Sequence, residues 1–196
     1  KRIVKFEDSE SQTTFALRLI PGRAYTFVVW ADFVGQGSEV ALHYNAEDLR
    51  NIELLGAQNA MDESRDAYTG IFRTSDNGGE TFSSSSKISF ELKRPFAKLR
   101  VITTDMDELM GVVPAKAEVE YTTEYRNSFN AVEAKAGDVY DTKTHNLFEI
   151  ASYEETGTDK TLFTDYLFAS EGDIVNFYMN VYDQNGDPID EQKNFN

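Results

Sequence analysis

The chain has 196 residues, with 34 acidic against 19 basic, no cysteine and a net charge of −15. A field of that sign repels phosphate backbones and anionic membrane surfaces, which argues against nucleic-acid binding. The missing thiols exclude cysteine catalysis, disulfides and thiolate metal sites together, and no run reaches the ~18 apolar residues of a spanning helix.

Residues 1–12 (KRIVKFEDSESQ) are polar from the first residue, carry no signal-peptide pattern and read as a short lead-in to a mature or trimmed form. Phe15, Leu17 and Leu19 then alternate with polar neighbours, which predicts a first amphipathic strand. Pro21-Gly22 is expected to turn it into a hairpin with Tyr25–Phe33. In that second segment Tyr25, Phe27, Val29, Ala31 and Phe33 share one face, and Thr26, Val28, Trp30 and Asp32 the other. Gly35 to Ser38 end the pair. Residues 46–56 fit two readings. Leu49, Ile52 and Leu55 have near-helical spacing between Asn45 and Gly56 as caps, and Asn51–Leu55 also fits a short strand.

Residues 74–86 form a turn-rich, serine-rich loop. Ile88, Phe90 and Leu92 alternate after it, and Ala97, Leu99 and Val101 resume the alternation. Pro95 between them cannot donate to a ladder, so it marks an edge, a bulge or a switch between sheets. Val119 and Tyr121 predict a half-exposed strand, Phe129, Val132 and Val139 a weaker one, and Tyr166–Ala169 and Ile174–Tyr182 two more. Asp183 to Pro188 is a turn, because Asn-Gly adopts positive φ cheaply. Short strands at regular spacing indicate an all-β antiparallel β-sandwich with little helix. It is read as one domain over 13–196, with two small sub-sandwiches meeting near 105–116 as the alternative.

No catalytic, cofactor-binding or metal-binding residue is assigned from these patterns. His43 and His145 stand far apart, in no paired spacing, and read as surface or loop histidines. Asp183, Asn185 and Asp187 suggest calcium, but an EF-hand loop needs Gly at its sixth position and Glu at its twelfth, where Pro188 and Asn194 stand. Asp105, Asp107 and Glu108 read as an acidic loop. Gly78-Gly79 precedes no helix and is no phosphate cradle, and no nucleophile elbow or P-loop is present. Trp30, Tyr44, Tyr68, Tyr125 and Tyr153 invite a sugar platform, against which stands the ordinary role of sandwich aromatics in packing.

Four segments together carry a resemblance: YTFVVWADF (Tyr25–Phe33), RDAYTG (Arg65–Gly70), LKRPFAKLRV (Leu92–Val101), and YLFA with FYMNVYDQNGDPI (Tyr166–Ala169, Phe177–Ile189). In order and spacing, over roughly residues 13–190, the chain resembles the fimbrillin-like surface and fimbrial lipoproteins of Bacteroidales. The resemblance implies a transthyretin-like, Greek-key sandwich exported to the cell surface and outer membrane. It implies a fimbrial subunit, anchor or adhesin with no enzyme activity and no cofactor. Its implied partners are other fimbrial subunits, joined by strand exchange at an open sheet edge, with a host or glycan ligand as a further one. The chain has no lipobox cysteine, so a lipid anchor upstream of Lys1 is implied by the resemblance alone. The competing reading is a carbohydrate-binding surface module beside a polysaccharide-uptake system.

Phe27, Val29, Phe90, Leu99, Phe177 and Met179 are expected in the core, each on the more apolar face of an alternation. After the Asp183–Pro188 turn only IDEQKNFN remains, poor in strand formers. The Ile174–Tyr182 strand is therefore expected to be an incompletely paired edge that a returning or donated strand completes.

Overall fold

The computed structural model describes residues 12–35, 41–56, 61–77, 87–89, 91–104, 112–138, 140–141, 145–150, 160–189 and 193–195. The period-two patterns become strands: β1 (Thr26–Asp32), β2 (Tyr44–Asn45), β3 (Ile52–Leu54), β4 (Ala67–Arg73), β5 (Ala97–Thr103), β6 (Lys116–Tyr121) and β7 (Tyr125–Arg126). There follow β8 (Ser128–Asn130), β9 (Lys135–Ala136), β10 (Tyr140–Asp141), β11 (His145–Glu149), β12 (Lys160–Leu167), β13 (Phe177–Tyr182) and β14 (Lys193–Phe195). Among the described residues the helical elements are two 3₁₀ turns, Glu63–Arg65 and Thr74–Asn77. The fold is all-β with antiparallel sheets.

The chain forms two compact units, Lys1–Thr26 with Arg73–Ser89, and Phe27–Phe72 with Phe90–Asn196. In the first, the backbone N–H of Tyr25 donates to Thr74 Oγ1 (2.9 Å) and that of Thr74 to the Tyr25 carbonyl (3.0 Å). The expected opening hairpin does not form. Residues 12–20 carry no strand, and β1 takes β4 as its partner. The Pro21-Gly22 turn closes on a side chain instead: Tyr25 Oη accepts from Ile20 N (2.7 Å) and donates to Ile20 O (3.2 Å). Those two bonds satisfy the groups a ladder would have used.

In the second unit, strands in the order β11-β6-β13-β14 make one four-stranded sheet and β2-β3-β8-β9 another, while β5–β12 and β7–β10 are pairs. One hydrophobic cluster packs Ala117, Val119 and Tyr121 of β6 and Phe177 and Met179 of β13 against Leu162, Phe163 and Leu167 of β12. Leu99 and Val101 of β5 join it. A second cluster gathers Tyr44, Ile52, Ala67, Phe129, Ala131, Ala136 and Phe168, with Val28, Trp30 and Phe96 against it. β12 packs on the first cluster and leads into Phe168 of the second, and every residue of it after Lys160 is buried, the polar Thr161, Thr164 and Asp165 included.

Several expectations are settled at the level of single residues. Phe177 and Met179 are buried and Leu99 packs on the first cluster. On β1 the faces are the reverse of the expectation: Val28 and Trp30 meet the second cluster, and Phe27 and Val29 are half-buried. Phe27 instead faces the ring of Phe72 across β4, with centroids 6.1 Å apart. Both faces of β1 are apolar, so alternation alone could not rank them. Phe90 lies outside the described residues, as does 105–111 of the 105–116 stretch where the alternative division was placed. The strand reading of 51–55 holds as β3. Pro95 is a switch between sheets: Lys93 bridges Thr69 of β4, and from Ala97 onward the chain pairs with β12.

The C-terminal expectation is overturned. β13 is an inner strand, paired with β6 on one side and β14 on the other, with Phe177 opposite Phe195 and Met179 opposite Lys193. The Asp183–Pro188 turn closes as a hairpin. Asp183 N donates to Asp187 O (2.9 Å), Gly186 takes φ +87°, and Ile189 N donates to Val181 O (2.9 Å). Propensity argued against a strand in IDEQKNFN, and the open ladder of β13 overrides it.

Gly137 follows β9 because Ser128 occupies the space beside it. A Cβ there would stand 2.1 Å from Ser128 Oγ. Gly137→Ala is therefore expected to lower the melting temperature, and adding Ser128→Ala to restore part of the loss. Phe177→Ala is expected to cost about 3–5 kcal/mol in urea denaturation, and Phe27→Ala distinctly less. Equal losses at the two positions would contradict the assignment of the β1 faces.

Candidate functional site

The densest polar constellation grows from one short segment, Asp62-Glu63-Ser64-Arg65-Asp66, which leads into β4. Met61 ahead of it has φ +62°, and its N–H donates to the Thr164 carbonyl of β12 (2.9 Å), which anchors the segment. Asp62 caps the 3₁₀ turn by accepting from Ser64 N. Asp62 and Ser64 bond to each other beside His43, and Glu63, Arg65 and Asp66 send their side chains to three different sets of partners.

Arg65 points inward. Its Nη1 donates to Asp165 Oδ1 of β12, and Nη2 to the Tyr166 carbonyl (2.9 Å). Both charged side chains are almost wholly removed from solvent. Asp165 Oδ2 accepts from Tyr121 Oη (2.6 Å), and Oδ1 also accepts from Tyr166 N (2.7 Å). Tyr44 Oη donates to the Arg65 carbonyl (2.5 Å). Tyr121 belongs to the first hydrophobic cluster and Tyr44 to the second. The ion pair thus touches both. Burial, and then the Asp165 carboxylate, push the Tyr121 hydroxyl far above the usual phenol range, so it acts as a donor throughout. Burial does the same to Tyr44.

The flanking residues point outward. Glu63 accepts from Lys98 Nζ (2.7 Å) and Tyr166 Oη (2.6 Å), which hold its carboxyl below the usual range. Lys98 Nζ also lies 5.2 Å from the centre of the Tyr166 ring. Asp66 accepts from Arg94 Nε (2.8 Å), Arg94 Nη2 (2.6 Å) and Tyr68 Oη (2.8 Å). Burial opposes its ionisation, but the guanidinium and the phenol together outweigh burial and hold this carboxyl low.

Ser64, His43 and Asp62 have the composition of a hydrolytic triad without its geometry. His43 Nε2 lies 2.7 Å from Ser64 Oγ, and Ser64 Oγ lies 2.6 Å from Asp62 Oδ1. The single hydroxyl proton goes to the carboxylate, so Oγ accepts from Nε2. A nucleophile would need that proton on the imidazole and a carboxylate behind the far ring nitrogen. Here Asp62 Oδ2 lies 3.6 Å from the same Nε2. The trio caps the turn and ties it to the bend before β2.

His43 is therefore a loop histidine but not a surface one, its side chain being 14% exposed. His145 lies in β11 opposite Glu120, in a strand rather than a loop. Asp183 spends its carboxylate on Asn185 N (2.8 Å) and Asp187 N (2.9 Å) of its own turn. No three His, Asp or Glu among the described residues are grouped to hold a metal ion. Asp105, Asp107, Glu108, Gly78, Gly79 and Tyr153 lie outside those residues. The other aromatics of the sugar platform do not gather on one surface. Tyr44 is buried, Trp30 sits edge-on to it (5.3 Å), Tyr125 packs on Tyr121 (5.2 Å), and Arg94 lies 5.3 Å from the Tyr68 ring centre.

Arg65 and Asp165 did not emerge from the sequence patterns. A signal existed: Asp165 is the one charge in the apolar run TLFTDYLFA (Thr161–Ala169), and a charge in a strand buried on both faces requires a partner. Nothing local identifies Arg65 as that partner, a hundred positions away.

Arg65→Met or Asp165→Leu alone is expected to cost about 3–5 kcal/mol, because each strands a buried charge. The double variant is expected to recover much of that loss in urea denaturation. The depressed Asp66 carboxyl contributes stability above its unfolded pKa near 4 and loses it as pH falls through the lower folded value. Arg94→Gln is expected to raise the Asp66 value, followed by carboxyl NMR, and to move the acid-unfolding midpoint to higher pH. An unchanged midpoint would count against the Arg94–Asp66 pair.

No helix among the described residues is long and apolar enough to cross a membrane. No curated protein and no solved structure matches the chain. A family model does match, over residues 1–196, and the protein belongs to the family it describes, the "Family of unknown function (DUF6562)".

Proposed function

We propose that the chain is a non-enzymatic, surface-displayed module of transthyretin-like fold, a fimbrial subunit, anchor or adhesin that joins its neighbours by strand addition. The observation that carries this reading is β5. It is a seven-residue strand at the margin of a two-stranded sheet, and among the described residues it has a ladder partner, β12, on one side only. Main-chain groups on such an edge are a template for a strand from another chain. β14, three residues long, blunts the far edge of the four-stranded sheet and leaves little ladder to extend. The antiparallel frame and the four segments that resemble fimbrillin-like proteins support the same reading. Export to the outer membrane with a lipid anchor belongs to this proposal.

The polar groups of the Asp62–Asp66 constellation support a non-catalytic role, since each is engaged in holding the fold. Incubated with ester and glycoside panels, the protein is expected to give no turnover. Turnover that Ser64→Ala abolishes would overturn the reading. Mixed with related subunits, it is expected to form oligomers seen by light scattering. Glycan-array binding without oligomers would favour the carbohydrate module instead.

A further inference from the structure

We propose that Asn185-Gly186 is a latent deamidation site and that Asp183 is the residue that holds it closed. Asn-Gly occurs in the chain at residues 77–78 and 185–186. Gly78 lies outside the described residues. The second pair stands in the turn after β13, where Gln184 to Pro188 are exposed to solvent. Asparagine amides are chemically labile, and glycine has no side chain to shield its backbone nitrogen. In the reaction Gly186 N loses its proton to hydroxide and attacks Asn185 Cγ. The N–Cγ bond forms, the Cγ–Nδ2 bond breaks, and Nδ2 leaves as ammonia, taking a proton from water. Water then opens the resulting succinimide. Rupture of the new N–Cγ bond gives aspartate at this position. Rupture at the backbone carbonyl gives isoaspartate, whose main chain is one carbon longer.

Asp183 engages both groups that must react. Its carbonyl accepts from Gly186 N (3.1 Å), so the proton that has to leave is already held. Its Oδ2 accepts from Asn185 Nδ2 (3.1 Å) and its Oδ1 from Asn185 N (2.8 Å), so the amide is tied to Asp183 rather than free to turn onto Gly186 N. The turn is closed beneath them, because Asp187 N donates to Asp183 Oδ1 (2.9 Å) and Asp183 N to Asp187 O (2.9 Å). The N–H groups of Asp187 and Asn185 hold the Asp183 carboxyl below the usual range, so it stays ionised at neutral pH. Cyclisation passes through a deprotonated nitrogen and an anionic tetrahedral centre, and the negative field of Asp183 and Asp187 opposes both. The modification would undo the turn. Isoaspartate moves Gly186 N out of register with Asp183 O, and either product sets a carboxylate where Nδ2 now donates to Asp183.

The test incubates the full chain at mildly alkaline pH and follows Asn185 by peptide mapping in a mass spectrometer, which reads the exchange of its amide for an acid. The same chain unfolded in urea supplies the reference rate. In the folded chain Asn185 is expected to react about tenfold more slowly than in urea, the equivalent of one hydrogen bond of ordinary net worth. Asp183→Ala is expected to bring the rate up toward the urea value while the Ile189 amide, which donates to Val181 O, stays protected from hydrogen exchange. That protection separates loss of the guard from opening of the hairpin. If the alanine variant opens the hairpin, Asp183→Asn decides the matter. It keeps an acceptor for Asn185 N, loses the charge and the second oxygen, and is expected to react at an intermediate rate with Ile189 protected. Equal rates in the folded and unfolded chain would overturn the proposal. A folded rate that neither variant changes would overturn the role of Asp183.

Discussion

The ion pair between Arg65 and Asp165 is the constraint on which the second unit depends. Two charges removed from water are expensive, and their attraction offsets that cost only with good geometry and satisfied lone pairs. Here the carboxylate is met by the guanidinium, the Tyr121 hydroxyl and the Tyr166 amide, and the guanidinium reaches the Tyr166 carbonyl as well. An apolar pair of the same volume would serve stability comparably. What an apolar pair would lack is direction. Tyr121 enters from one hydrophobic cluster and Tyr44 from the other, and both hydroxyls find a partner only if Arg65 and Asp165 stand where they do.

The segment carrying Arg65 gains its rigidity from the same economy of polar groups. Asp62 caps the turn, Ser64 binds His43, Glu63 binds Lys98 and Tyr166, and Asp66 binds Arg94 and Tyr68. A 3₁₀ turn of three residues has almost no intrinsic stability. Its position is determined by side-chain bonds to β12, β5 and the bend before β2. Composition that resembles an active site is here the composition of a clamp.

The strands were legible in the sequence wherever one face is buried and the other wet. β6 and β13 alternate cleanly, and Val119, Phe177 and Met179 are core residues as expected. Legibility failed where both faces are covered. In β1 apolar residues stand on both faces, Phe27, Val29 and Ala31 on one and Val28 and Trp30 on the other, so the expectation placed Phe27 and Val29 where Val28 and Trp30 stand. It failed again where a tertiary ladder overrides propensity, as at Lys193–Phe195, and where a side chain replaces a ladder, as at Tyr25. The acidic and histidine groupings read from the sequence were correctly weighed as turns and loops at Asp183 and His43. The Arg65–Asp165 pair was invisible because spacing along the chain cannot report a contact between residues a hundred positions apart.

That separation also dictates when the protein can fold. β5 must wait for β12, more than fifty residues downstream, and Arg65 must wait longer still. Closing such loops costs entropy before any contact returns it, so assembly is dominated by non-local pairing and is slow on the scale of small domains. A growing chain that does not yet include Asp165 holds an unneutralised arginine, with Tyr44 and Tyr121 still unburied. It therefore remains unfolded until most of its length is available. Folding of the second unit is thus gated by completion of the chain rather than proceeding along it.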